Sequence, residues 1–346
     1  MAHWQQYSLA ERIQLLDIAS AAKALPRLVV EKDWWVVITL KALSMTRYSS
    51  LMSFKGGTSL SKGWNLIYRM SEDIDIAIRR YERFAISSAS KNQLAKVRRA
   101  VRHYVVRELP EELTAALSEL GATDFDVVPE TEVIRNGCPV ELRADTHPSV
   151  IYVNYMSIVP ERSEYVLSRV KIEISCLSMD EPVEKKTVRS FISESVKDSE
   201  DLRVDFSTVV PTRTFLEKIF LLHEEFLRRK PRSLRMSRHL YDLERLMDTK
   251  YGCVALNNST LYNEIIRHRS VFNNIEEVDY SSHSPERIDF IPPERLMSDW
   301  RKDYNSLVEH FLYSNEEHLS FDQLMVRMRV LLDRVRKIYR SLSLSK

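Results

Sequence analysis

Phe54-Lys55-Gly56-Gly57-Thr58-Ser59-Leu60-Ser61-Lys62, followed by Met70-Ser71-Glu72-Asp73-Ile74-Asp75-Ile76, decides how this chain is read. A short apolar strand, Leu51 to Phe54, runs into paired glycines, then a helix-like segment, then two carboxylates separated by one isoleucine. Gly56 and Gly57 let the backbone approach a phosphate, with N–H groups and the following helix N-terminus as anion donors. Asp73 and Asp75 stand at i and i+2, so on a strand both side chains point to one face. Two carboxylates on one face beside a phosphate cradle suit Mg²⁺ carrying a nucleoside triphosphate. Ile74 and Ile76 point the other way, into a core.

The segment resembles the signature of DNA polymerase β-type nucleotidyltransferases: a Gly-Gly/Ser turn, a helix, then Asp-x-Asp. Its wording, KGGTSLSK…RMSEDIDIAI, is similar to one branch of that superfamily, the AbiEii/AbiGii toxins of abortive-infection and type IV toxin–antitoxin systems. The spacing from Thr58 to Asp73 is longer than is usual in the superfamily and resembles the toxin branch. The extra residues are expected to lengthen the intervening helix by about a turn. Glu31-Lys32-Asp33-Trp34-Trp35-Val36 resembles that branch's opening helix, and Trp300-Arg301-Lys302-Asp303-Tyr304 resembles an element near its end. The resemblance covers nearly the whole chain.

Composition sets bounds on the rest. At 346 residues, 44% apolar and 29% charged, the chain has the makeup of a soluble globular protein with room for two domains. No run approaches a membrane span, and Met1 to Gln6 lacks a basic-then-apolar leader, so a cytoplasmic location is expected. Cys138, Cys176 and Cys253 are scattered, which argues against a disulfide framework or a zinc site. Gly is scarce, at 6 residues, yet two stand together at 56 and 57.

The pattern predicts an α+β protein. An N-terminal polymerase β-like nucleotidyltransferase domain with a mixed sheet, preceded by helices, is expected over 1–200, and a helical domain over 201–346. Helices are expected at Leu9 to Leu25, capped by Ser8, and at Glu31 to Met45. A charged helical stretch over 81–120 ends at Gly121. Strands are expected at Phe125–Val133, Val150–Val159, Val166–Leu177 and Lys186–Ile192. A polar boundary, Ser193 to Pro211, then leads into helices at Thr212–Arg229, Arg238–Asp248, Leu261–Phe272, Pro293–Tyr313 and Phe321–Leu342.

Phosphoryl chemistry with two metals wants a third carboxylate. Glu173 interrupts the apolar alternation of Lys171-Ile172-Glu173-Ile174-Ser175 and is the best candidate; otherwise Lys171 and Glu173 form a surface pair. Thr214 to Ile219 and Ser237 to Leu243 resemble the toxin family's helix lysine and its R-x-x-YDL helix. The resemblance implies that Lys218 meets triphosphate oxygens and that Asp242 orients Lys218 or holds the substrate. By spacing alone, Arg238 and Asp242 make an ordinary i,i+4 pair. The expected catalytic set is thus Asp73, Asp75, Glu173, Lys218 and Asp242, with Asp73, Asp75 and Glu173 as metal ligands. The nucleotide-binding set is Gly56, Gly57, Thr58, Ser59, Lys62 and Lys218. His223, His239 and His268 build no ligand set and read as packed or surface histidines.

Net charge is only +2, but basic residues cluster at Arg228–Arg238, at Arg327–Arg340 and at Lys96–Arg107, each a solvated helix face or a phosphate-binding surface. The resemblance implies a toxin that uses Mg²⁺, with Mn²⁺ as the alternative, to move NMP from NTP to an acceptor. Some relatives add nucleotides to the 3′ end of tRNA, so tRNA is the preferred acceptor, with a cognate antitoxin encoded alongside. Nucleotidylation of a protein or small molecule, and a non-catalytic NTP-sensing module, are the competing readings.

Overall fold

Side chains that alternate in polarity build the sheet on which the quoted segment lies. The computed structural model describes residues 3–79, 91–161, 163, 166–178, 182–196, 201–273, 275–313 and 317–344. Its strands are β1 (Met52–Lys55), β2 (Asp73–Ile78), β3 (Phe125–Pro129), β4 (Glu132–Arg135), β5 (Cys138–Glu141), β6 (Ser149–Tyr155), β7 (Arg169–Ser175), β8 (Val183–Arg189) and β9 (Arg203–Val209). Seven of them form one sheet in the order β3-β6-β7-β2-β1-β9-β8. The sheet is mixed, as expected: β2 runs parallel to β7 and β1 to β9, while the other neighbours are antiparallel. The fold is α+β.

The helices that accompany this sheet are α1 (Leu9–Lys23), α2 (Arg27–Ser44), α3 (Gly56–Thr58), α4 (Lys91–His103), α5 (Leu109–Glu119) and α6 (Phe191–Ser195). Ser8 and Glu11 close a reciprocal capping box on α1. Nearly every residue of α2 from Leu28 to Leu43 is buried, against α1, α5, β7 and β9. Trp34, Trp35, Val37, Ile38 and Leu40 supply its core, each contributing about 1.5–3 kcal/mol on leaving water. The expected helical stretch over 81–120 begins, among the described residues, at Lys91; its first positions lie outside them.

Three expectations are corrected. Phe125–Val133 is not one strand: β3 ends at Pro129, and Asn136-Gly137, both at positive φ (50° and 80°), turns a separate ribbon of β4 and β5. The polar stretch Ser193 to Pro211 contains β9, whose Val204, Phe206 and Thr208 are buried while Arg203 and Asp205 face water. The residues between the glycine turn and Asp73 do not lengthen the helix, which ends at Gly63.

The chain divides into two compact units. The sheet unit comprises Met1–Trp64, Met70–Val209 and Tyr313–Asn315, and the helical unit comprises Asn65–Arg69, Val210–Leu312 and Glu316–Lys346. Asn65–Arg69 thus leaves the sheet unit and returns to it just before β2. The helical unit is built from α7 (Pro211–Leu227), α8 (Arg238–Leu246), α9 (Lys250–Leu256), α10 (Ser259–Phe272), α11 (Met297–Phe311) and α12 (Phe321–Leu344). α7 packs on α8 and α9, and α12 on α8, around Phe215, Phe220, Leu240, Leu243 and Leu331.

Candidate active site

The period of two along β2 and β7 makes the chemistry of the sheet face. Register sets Asp73 across from Lys171 and Asp75 across from Glu173. All four project from one face and are partly exposed, while Ile74, Ile76, Ile172 and Ile174 are fully buried on the other. On the far side of β2, Lys55 of β1 pairs with Asp75, and the chain then turns at Gly56. Gly56 adopts φ +76°, and a β-carbon there would fall 1.9 Å from Asp75 Oδ2. Only glycine fits both the left-handed backbone and that approach.

Thr58 fixes the start of β2. Its hydroxyl donates to the Asp73 carbonyl and is hydrogen-bonded to Ser71 Oγ at 2.9 Å. Ser59 Oγ donates to the Gly56 carbonyl at 2.9 Å. Lys62 lies with its ammonium 2.8 Å from Asp33 Oδ1 and 3.6 Å from the Phe191 ring centroid. Thr58, Ser59 and Lys62 are all buried. Thr58 and Ser59 thus tie the turn to the start of β2, and Lys62 ties the same segment to Asp33 of α2.

Glu173 forms an ion pair with Lys171. Burial works against the Lys171 charge, but Glu173 and Asp73 outweigh it and raise its pKa. A cation thus sits against Glu173 and within the field of Asp73. Among the described residues, no three His, Cys, Asp or Glu side chains gather into a metal cage. The donors fit Mg²⁺ in another way: this hard cation is commonly bound through one or two carboxylates, with phosphates and water completing the shell. Asp73 and Asp75 are such a pair.

Behind this face lies a buried run of charge that sequence reasoning did not single out as part of the site. Glu31, Lys32 and Asp33, consecutive on α2, are all buried. Glu31 accepts from Ser157 Oγ (2.5 Å) and Ile158 N (2.8 Å). Lys32 pairs with Glu72 at 2.5 Å and donates to the Leu167 carbonyl at 2.9 Å. Asp33 accepts from Phe191 N at 2.6 Å and receives Lys62. Burial pushes the Asp33 carboxyl up, and Lys62 offsets part of that rise. Lys32 thus anchors the residue immediately before Asp73. The signal was three successive charges beside Trp34-Trp35 on an otherwise apolar helix.

In the helical unit, Lys218 of α7 and Asp242 of α8 meet: Lys218 Nζ lies 2.8 Å from Asp242 Oδ2. Arg69 also takes Asp242, with Nε 2.7 Å from Oδ1 and Nη2 2.8 Å from Oδ2. Burial opposes the Asp242 charge, but Arg69 and Lys218 overcome it and hold the carboxyl well below the usual range. Burial also lowers the Lys218 pKa, with Asp242 opposing and Arg69 adding to the fall. His239 Nδ1 lies 3.4 Å from Lys218 Nζ, and burial followed by the Lys218 charge keeps that imidazole neutral. His223 is hydrogen-bonded to Ser282 Oγ and the Asp289 backbone, and His268 stacks on Phe272.

Two basic clusters are partly met by acids. Arg232 and Arg228 pair with Glu225, and Arg327 and Arg334 pair with Asp248. On α4 and the turn after it, Lys96, Arg99 and Arg107 are exposed, and none of them appears in an ion pair among the described residues.

A family model described as the nucleotidyl transferase AbiEii toxin of type IV toxin–antitoxin systems matches residues 38–327. No curated protein matches the chain. Among solved structures, MenT4, a nucleotidyltransferase toxin from Mycobacterium tuberculosis H37Rv, is similar at 15% identity and a TM-score of 0.47, over 95% of this chain and 89% of that one. A protein described as a nucleotidyltransferase from H. pylori is similar at 16% identity and a TM-score of 0.39, over 92% of this chain and 99% of that one.

Proposed function

This chain belongs to the AbiEii family of nucleotidyltransferase toxins of type IV toxin–antitoxin systems, and on that premise we propose that it moves the NMP of an NTP onto the 3′ end of tRNA. The observation that carries the reading is the Asp75 carboxylate seated on Gly56, with Asp73 beside it and Glu173 in register on the next strand. Asp73 and Asp75 would hold Mg²⁺, with Glu173 as the third ligand or as the base. Mn²⁺ is the alternative ion. When bound, such an ion neutralises phosphate charge and polarises the phosphoryl group.

The chain's own residues do the rest. The backbone N–H groups at Gly56 and Gly57 cradle phosphate oxygens at the start of the helix. A 3′-hydroxyl attacks the α-phosphorus, the new P–O bond forms, the bond to the β-phosphate oxygen breaks, and pyrophosphate leaves. Glu173 accepts the hydroxyl proton, and the Lys171 ammonium beside it steadies the carboxylate until then. Within the helical unit, Lys218 held by Asp242 is a desolvated cation suited to phosphate oxygens. Among the described residues no helix is long and apolar enough to cross a membrane, and we place the protein in the cytoplasm beside a cognate antitoxin. Incubation with each α-labelled NTP, Mg²⁺, total cell RNA and total cell protein tests the reading. Label on tRNA supports it; label on protein alone overturns the acceptor; no label overturns the enzyme.

A further inference from the structure

Arg69 lies four residues before Asp73 in sequence, yet it is part of the helical unit. Its guanidinium grips both oxygens of Asp242, at 2.7 and 2.8 Å, while Lys218 Nζ approaches Oδ2 at 2.8 Å. Side-chain exposures are 4%, 0% and 9% for Arg69, Asp242 and Lys218. Two cations therefore share one carboxylate out of water. A planar fork on both oxygens fixes the plane of a carboxylate as well as meeting its charge, which an ammonium cannot do. With Asp242 gripped in this way, the field of Lys218 is only partly cancelled by its partner. A desolvated cation in that condition is stabilised by an incoming anion.

We propose that Arg69 is a positioning residue for nucleotidyl transfer: its bidentate grip on Asp242 leaves Lys218 oriented and electrostatically available to phosphate oxygens. This rests on the reading of Lys218 given above. Arg69 touches no reacting atom and acts through Asp242. The excursion of Asn65–Arg69 out of the sheet unit, between the glycine turn and Asp73, is what delivers the guanidinium. The charged and titratable groups around Lys218 are Asp242, Arg69, Arg238 and His239. Removing Arg69 takes away a like charge and frees Asp242 to serve Lys218 alone. Both changes raise the Lys218 pKa, so its protonated form persists to higher pH.

The full chain, with Mg²⁺ present, is titrated calorimetrically with inorganic pyrophosphate, and label transfer to total cell RNA is followed across pH. Arg69→Lys keeps the charge without the fork, and Arg69→Gln removes both. Arg69→Lys should weaken pyrophosphate binding and lower turnover by about tenfold, the scale of one lost charge-assisted hydrogen bond. Arg69→Gln should lose more and shift the alkaline limb of the activity profile upward. Adding Arg69→Gln to Asp242→Asn should cost nothing further, since Arg69 acts through Asp242. Unchanged affinity, turnover and pH profile in Arg69→Lys, with only a lower melting temperature, would overturn the proposal and leave a pair that serves folding alone. Failure of the unaltered chain to bind pyrophosphate would overturn it too. If Arg69→Gln does not fold, Arg69→Lys and the double variant carry the test. Full activity in Lys218→Ala would remove the underlying reading; an inactive Lys218→Ala beside a fully active Arg69→Lys would remove only the Arg69 role.

Discussion

The Asp75 carboxylate rests on the Cα of Gly56, so close that a β-carbon on residue 56 would stand 2.7 Å from Asp75 Cγ. A methyl group therefore displaces the carboxylate or the turn, on top of the strain of φ +76° in a residue other than glycine. Gly56→Ala should cost about 1–3 kcal/mol of unfolding free energy, as a left-handed residue with a clash does. It should also cost most of the activity, because Asp75 is the group that moves. Urea melts and label transfer on one preparation check both. A variant as stable and active as the parent would show that the turn has no part in placing Asp75.

Asp73→Asn and Asp75→Asn should each abolish transfer while leaving the fold intact. Both side chains are partly exposed on the sheet face, where a neutral isostere changes stability by about 0.5 kcal/mol or less. Loss of either carboxylate withdraws the charge that would hold the metal, worth several kcal/mol in the transition state. Turnover near the parental rate in Mg²⁺ would remove both residues from the metal site.

The faces of the sheet were legible because a strand has a period of two. Asp73-Ile74-Asp75-Ile76 and Lys171-Ile172-Glu173-Ile174 state their own orientation, and the observed register then sets Asp75 beside Glu173. The strand Arg203–Val209 alternates just as clearly, but its charged flanks gave it the composition of a linker. Thr58 and Ser59 were harder, because their partners, the Asp73 and Gly56 carbonyls, are backbone groups that no residue pattern announces. Arg69 was the least legible in its role: Asp242 is 173 positions away in the chain.

Lys32 and Glu72 form a buried pair, so removing either one takes the nearest opposite charge from a buried ion. Lys32→Met alone, or Glu72→Leu alone, should cost about 3–5 kcal/mol. The double variant should recover much of that, since an apolar pair of similar volume often replaces a buried ion pair at little cost. Equilibrium denaturation of the full cycle measures the coupling. Strictly additive losses would show that the contact at 2.5 Å contributes no coupling of its own.

Acid should destabilise the helical unit through two carboxylates. Glu224 is held below its ordinary pKa: burial opposes its charge, but hydrogen bonds and charge from Arg269 and His283 prevail. Asp242 is lowered in the same direction by Arg69 and Lys218. A carboxyl with a depressed folded-state pKa adds stability that is complete above its unfolded pKa and is lost as pH falls toward the folded value. Melting temperature should thus hold steady above about pH 5 and fall progressively below pH 4.5, given ordinary carboxyl values near 4. Arg269→Gln should flatten the fall, because Glu224 then loses its preference for the charged form. A profile of unaltered steepness in that variant would count against Glu224 as a source of the acid sensitivity.

RNA held by this protein should depend most on the exposed stripe Lys96, Arg99 and Arg107. Arg232 and Arg327 each have a carboxylate in contact, and a cation already paired releases little when it meets a phosphate. Lys96, Arg99 and Arg107 recur at spacings that keep them on one side of a helix, and none of them appears in an ion pair among the described residues. Changing all three to Gln should weaken tRNA binding and reduce the salt slope by about one per lost phosphate contact. The same change at Arg232 and Arg327 should move that slope less. Pyrophosphate binding should survive the triple change, because the reading proposed above assigns it to the glycine turn, Asp73, Asp75 and Lys218 and to none of the three stripe residues. Filter binding of tRNA across salt concentrations reads the slope directly. If the stripe variant binds tRNA like the parent while the Arg232 and Arg327 variants do not, the RNA surface lies on the helical unit. If none of them alters a salt-sensitive interaction, the acceptor is not held through its phosphates.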